Sequence, residues 1–260
     1  LKFARSLVEC AGATVEVYRG GDGEPLLVLH GELRSPELPQ AYELLSGQYE
    51  VIAPVLPGFG SSSTADWMLG VRDMAAWLSW FVRDTGLPYP INVVAFSLGA
   101  WVATELAIFH PSLFRKLVLV SPAGLKPDNG EIFDYFMATP KESFERAFAD
   151  PGKSDAYQNH FGREWTPEEV AVFDDDREMT SRLAWRPYLF SLTLNELLPA
   201  VSTPTLVIWG SEDRIIPVST SNQFTNRIPG SRGIVLQGCG HLPHLEDPKA
   251  FVSAVLNFLD

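Results

Sequence analysis

The sequence predicts a doubly wound α/β fold, a mostly parallel sheet of eight strands with helices on both faces. Three observations carry this. Short continuous apolar runs recur along the chain, as strands covered on both faces of a parallel sheet require. Helical stretches separate them, strand and helix alternating through the first 120 residues and again after 204. The alternation breaks over 123–198, where aromatic and acidic residues follow a helical period without a clear strand.

Residues 2–9 and 13–19 alternate polar and apolar positions around "CAGA", which predicts an antiparallel pair at a sheet edge. "GGDGEP" reads as a turn, and the apolar run 26–29 follows it. "YEVIAP" (49–54), "INVVAF" (91–96), "KLVLV" (116–120), "TLVIW" (205–209) and "GIVL" (233–236) supply the remaining strands. Helices are expected over 37–46, 66–85 and 98–110. A last one, in "DPKAFVSAVLNFLD", spaces Phe251, Val255 and Leu259 four apart on one face. Within the break, "TPEEVAVFDDD" offers Thr166 as N-cap, proline at the first helical position and acids in the first turn. The triple acid 174–176 reads as a solvated face or a helix end. The expected organisation is one core, 1–122 and 199–260, interrupted by a helical insertion over 123–198.

The 260 residues are 46% hydrophobic and 20% charged, the balance of a soluble globular protein with a large core. A net charge of −12 argues against nucleic acid or an anionic membrane surface as partner. No apolar run approaches the roughly 20 residues of a membrane span. The chain starts at Leu1, which leaves a trimmed leader open. Cys10 and Cys239 are expected to be free thiols of a cytoplasmic protein, and no paired Cys/His spacing suggests zinc.

The chemistry begins where strand 91–96 runs into "AFSLGA". Ser97 stands between a strand and a helix with small residues at 95 and 99, the Gly-x-Ser-x-Gly arrangement with Ala95 for the first glycine. A nucleophile needs such a sharp turn to lift its Oγ above the sheet, and the helix N-terminus beneath it supplies free N–H groups. A serine N-cap would look similar. A serine hydroxyl also needs a base, and the base an orienting acid. Of five histidines, His110 ends a helix, His160 lies in the polar insertion, and His30 reads as a residue that orients the loop after its strand. His241, in "GCGHLPHLEDP", stands on a glycine-rich loop at a strand's end, whereas His244 is carried toward the final helix. For the acid, "LVIWGSEDRIIP" offers Glu212 and Asp213 at a strand's carboxyl end, where open α/β sheets build sites. Asp213 is preferred, Glu212 being expected to point to the other side.

Together "LHGE" (29–32), "AFSLGA" (95–100), "WGSEDRIIP" (209–217) and "GCGHLPHLEDP" (238–248) resemble the α/β-hydrolase-fold serine hydrolases, in their order Ser…Asp…His. "PVLPGFGSSS" (54–63) is similar to the loop after that family's fourth strand. The resemblance implies Ser97 as nucleophile, His241 as general base and acid, and Asp213 as the group holding its tautomer. It implies an oxyanion hole made from the backbone N–H groups of Leu98 and Glu32, and a helical lid (123–198) inserted after the sixth strand. No cofactor and no metal are expected, and the partner is a small, mostly apolar molecule with a carbonyl. Leu33, Phe136, Trp185, Tyr188, Ile215 and Leu242 are expected to line its pocket, with Trp185 and Tyr188 three apart on one helix face. Phe133 and Tyr135 belong to the same aromatic set.

Glu32 is the position that departs from an apolar oxyanion loop. Its carboxylate is expected to turn away, toward solvent, Arg34 or an arginine of the lid. The other reading has it line the pocket and select a cationic or hydrogen-bond-donating substrate. The expected activity is hydrolysis of a carboxylic ester through an acyl-enzyme. Carbon–carbon bond hydrolases, lactonases and cofactor-free haloperoxidases share the triad, and a ligand-binding protein with a silent triad is the alternative from another class. Haloalkane dehalogenases and epoxide hydrolases are disfavoured, because they place Asp where Ser97 stands.

Overall fold

The computed structural model describes residues 3–35 and 38–260. Eight strands form one sheet: β1 (Ala4–Cys10), β2 (Ala13–Gly20), β3 (Glu24–Leu29), β4 (Tyr49–Pro54), β5 (Ile91–Phe96), β6 (Phe114–Val120), β7 (Thr205–Gly210) and β8 (Arg232–Leu236). Their spatial order is β1-β2-β4-β3-β5-β6-β7-β8. β2 pairs antiparallel with β1 and β4, and every later pairing is parallel. The alternating run at the chain's start therefore forms the edge hairpin, and residue 2 lies outside the described residues. Strands β5 and β7 are buried along their whole length, as two-sided coverage of an apolar run demands.

Helices α1 (Gln40–Leu45) and α10 (Pro248–Leu259), with the short α9 (Pro243–Glu246) packed beside them, cover one face. Phe251, Val255 and Leu259 of α10 are buried there against Val94, Val118 and Ile208. Each such side chain removed from water is worth about 1.5–3 kcal/mol. Helices α2 (Val71–Asp84) and α3 (Ser97–Phe109) pack together on the opposite face, with α8 (Thr220–Arg227) beside β7. The helix expected from 37 starts at Gln40, behind Pro39, and residue 37 lies outside the described residues. The one expected from 66 starts at Val71, because 66–70 form turns around Gly70. Cys10 and Cys239 are both free and buried. Among the described residues, no helix is long and apolar enough to cross a membrane.

Between β6 and β7 the chain is helical: α4 (Pro140–Ala147), α5 (Asp155–His160), α6 (Pro167–Ala184) and α7 (Leu194–Leu197). Thr166 caps α6 by accepting from the Glu169 N–H, and the Glu169 carboxylate accepts from the Thr166 N–H in return. Phe144, Phe148, Phe161, Trp165 and Phe173 stack into an aromatic core for this stretch, Phe144 and Phe161 with ring centres 3.9 Å apart. The triple acid is not one solvated face. Asp174 and Asp175 are exposed, but Asp176 is 6% exposed and accepts from Arg34 Nε (2.9 Å) and the Gly60 N–H (2.7 Å). It has turned inward because a cation and a free backbone donor wait there.

Candidate active site

The order of the sheet reverses at β3, whose neighbours are β4 on one side and β5 on the other. Such a switch point opens a crevice at the strands' carboxyl ends. The register sets Leu29 opposite Ala95, so the loop 30–32 and Ser97 emerge side by side. A Cβ at Gly31 would lie 2.9 Å from Ser97 Cβ, and one at Gly99 would lie 2.2 Å from the His30 carbonyl oxygen. Both glycines are therefore needed for the strand, loop and helix to approach this closely. Ala95, fully buried within β5, fits where a glycine could stand. His30 holds the loop, accepting from the Leu56 N–H at its Nε2 (2.8 Å), with Nδ1 2.7 Å from the Gly31 carbonyl. Burial and the nearby Arg34 push it down to about 3, so it stays neutral.

Ser97 sits at the first position of α3 with φ +42° and is 3% exposed. A left-handed conformation costs a non-glycine residue roughly 1–3 kcal/mol and persists only where the surroundings impose it. Its Oγ lies 3.0 Å from His241 Nε2, and His241 Nδ1 lies 2.8 Å from Asp213 Oδ2. The other Asp213 oxygen accepts from the Ile215 and Ile216 N–H groups, both at 2.9 Å, which fixes the carboxylate's orientation. Glu212 is exposed and faces away, beside Ser211. His244 packs on Phe96 with ring centres 4.1 Å apart, and burial pushes it down to about 3.

Glu32 overturns the expectation for its side chain. It turns inward: Oε1 accepts from Ser97 Oγ (3.0 Å) and Oε2 from the Leu98 N–H (3.1 Å). Oε1 is also 3.8 Å from His241 Nε2, and the residue is 2% exposed. It does not reach Arg34, which Asp176 already holds. The inward turn follows from what is within reach: one hydroxyl and one unpaired N–H at the start of α3 solvate the carboxylate. The hydrogen-bond directions then form a consistent set. Ser97 has one proton, and giving it to Glu32 makes Ser97 Oγ the acceptor from a protonated His241 Nε2. Burial works against charge on His241, but Asp213 foremost, then Glu32 and Glu246, outweigh it and raise its pKa above 6.5.

The loop carrying His241 is fastened to the helical stretch. The His241 N–H donates to the Ala147 carbonyl (2.7 Å), and Glu246 accepts from Gly240 (2.6 Å) and Ala149 (2.7 Å). Sequence reasoning missed these ties, since nothing in "ERAFAD" marks the Ala147 carbonyl or the Ala149 N–H as partners of a loop some ninety residues away.

Two cavities adjoin the site. One of about 90 Å³ reaches Ser97 and His241 and is lined in part by Leu33, Leu242 and Tyr42. The second, about 280 Å³, lies between Glu32 and α6, with Trp165 and Phe173 on its wall. Phe136, Trp185, Tyr188 and Ile215 line neither. Phe136 packs on Trp185 and Tyr188, whose hydroxyl donates to the Phe133 carbonyl and accepts from the Tyr135 N–H. Trp185 is 54% exposed, and it shares no helix face with Tyr188 because α6 ends at Ala184. Ile215 is fully buried and meets the site through its N–H. The residues that sequence reasoning did not single out for the second cavity, Trp165 and Phe173, arrive there only through the path of α6.

Residues 24–248 match the model of the alpha/beta hydrolase fold family, and the chain belongs to that family. It is 31% identical to a 2-hydroxymuconate semialdehyde hydrolase of Pseudomonas putida, over 96% of this chain and 92% of that one. It is 25% identical to a pimeloyl-[acyl-carrier protein] methyl ester esterase of Aeromonas hydrophila, over 95% and 99%. Among solved structures, a serine hydrolase involved in carbazole degradation superposes with a TM-score of 0.81 at 24% identity, covering 99% of each chain. The chain is thus a hydrolase, esterase-like in its kinship.

Proposed function

We propose that the protein hydrolyses a carboxylic ester through an acyl-enzyme on Ser97. The observation that carries this is the buried relay from Asp213 Oδ2 to His241 Nδ1 and from His241 Nε2 to Ser97 Oγ. Neutral His241 takes the Ser97 proton as Oγ attacks the carbonyl carbon, and the carbonyl π electrons move onto oxygen. Collapse of that intermediate expels the alkoxide, which takes the proton from His241. Water, deprotonated by His241, then attacks the acyl-enzyme, and Ser97 leaves with the proton restored. Asp213 keeps the Nδ1–H tautomer and stabilises the imidazolium. The Leu98 and Glu32 N–H groups hold the oxyanion, each such donor being worth about 2.7–4 kcal/mol. Residues 123–198 act as a lid over the carboxyl ends of the strands. The two buried free cysteines accord with a reducing compartment such as the cytoplasm.

A second reading is hydrolysis of a carbon–carbon bond in a vinylogous diketone on the same triad, favoured by kinship to the hydroxymuconate hydrolase. A fluorophosphonate probe, followed by p-nitrophenyl esters, lactones and vinylogous diketones, tests both. Labelling confined to Ser97 and ester turnover abolished in Ser97→Ala are expected. A folded protein that forms no adduct at Ser97, in the wild type and in Glu32→Ala alike, would sink the hydrolytic relay, and turnover of diketones alone would install the second reading.

A further inference from the structure

Glu32 presents a difficulty that the hydrolytic reading leaves standing. Its carboxylate accepts from the Leu98 N–H, so it occupies the seat of the oxyanion, and it takes the proton of the nucleophile. In that position it blocks the first step. Among the described residues no arginine or lysine pairs with it, and its nearest cationic group is His241 itself, at 3.8 Å. A buried carboxylate without a dedicated cation is expensive to keep, and an oxyanion forming beside it would be repelled.

The same side chain borders the cavity under α6. Arg34, also on that wall, is spent on Asp176 at 2.9 Å, and Glu169 is held by Arg163. The rest of the wall is the Glu32 carboxylate, the exposed Glu168, the rings of Trp165 and Phe173, and Ser35, His160 and Val172. Arg177 already sits over Phe173, 5.6 Å from the ring centre, so aromatic surface here does take a cation. A carboxylate sharing a cavity wall with aromatic rings is chemistry suited to an ammonium group.

Resting on the hydrolase reading, we propose that Glu32 determines specificity for esters carrying a cationic group, whose charge draws the carboxylate out of the oxyanion seat. With the cation in the α6 cavity, Glu32 exchanges its bonds to Ser97 and Leu98 for an ion pair. Leu98 is then free for the oxyanion and Ser97 for His241. A neutral ester supplies no such exchange and meets an occupied seat. Glu32 thus couples recognition to assembly of the site.

The test compares a choline ester with the 3,3-dimethylbutyl ester of the same acid, which replaces the quaternary nitrogen by carbon at equal shape. The wild-type kcat/KM is expected to favour the choline ester by at least about tenfold. The preference should shrink to within about twofold in Glu32→Gln and Glu32→Ala, with Glu32→Ala faster than wild type on the neutral ester. Equal rates on the two esters in the wild type, with Ser97 labelled by the fluorophosphonate, would overturn this proposal and leave the hydrolase standing. Absence of labelling in both wild type and Glu32→Ala would instead bring down the hydrolase reading beneath it.

Discussion

At position 32 the sequence supplies a carboxylate and the fold supplies its direction. A carboxylate about 4 Å from a second negative charge costs about 4 kcal/mol at an effective dielectric of 20, comparable to one oxyanion donor. The same charge acts on His241, which faces Asp213, Glu32 and Glu246, with His244 nearby. Because these carboxylates raise the His241 pKa, its neutral imidazole appears only as pH rises above the ordinary value of 6.5. The acid-side limb of the kcat/KM profile should therefore lie above 6.5. Glu32→Gln removes one raising charge and should move that limb to lower pH. A limb that stays in place would show that the side chain does not face His241 in solution.

Between elements, the pair Arg34–Asp176 ties α6 to the loop after β3. Their side chains are 18% and 8% exposed, so the pair is largely desolvated. Arg34→Met leaves Asp176 buried without its cation and should cost about 3–5 kcal/mol in urea unfolding. Arg34→Met combined with Asp176→Leu should cost less than the single change. A loss from Arg34→Met below about 1 kcal/mol would place the pair among ordinary surface ion pairs. The position was misread from sequence because 174–176 present three identical side chains. Only the helix's rotation against the loops bearing Arg34 and Gly60 distinguishes the third. The elements themselves were far more legible: β5 and β7 announce themselves by uninterrupted apolar residues, and α6 by its capping box.

Across the whole molecule, Glu246 fastens the 123–198 stretch to the loop bearing His241. Burial raises its pKa from 4.5 to about 7, against the two N–H groups that pull it down. The folded state therefore binds this proton more tightly than the unfolded chain. The stability it contributes is fully present below pH 4.5 and is lost as pH rises through about 7. Unfolding midpoints in urea should fall between pH 5 and pH 8, and fall less in Glu246→Gln. Identical slopes in the two proteins would remove Glu246 from the account.

Whatever depends on neighbours along the chain was legible in the order of its residues. Apolar runs set the strands. The small residues Ala95 and Gly99 set the turn that holds Ser97, and the strand-end loops carry His241, within hydrogen-bond reach of Ser97, and Asp213, within reach of His241. Backbone roles are local, and local patterns reveal them. Where long side chains point depends on segments that meet only in the folded chain. Glu32 faces inward because Ser97 and Leu98, more than sixty residues later, offer it protons. Phe136, Trp185 and Tyr188 pack on one another instead of lining the cavities, because α6 ends at Ala184 and the chain turns there. An ion pair or a cavity wall joins residues that share no segment, and its energy exists only after the segments have met.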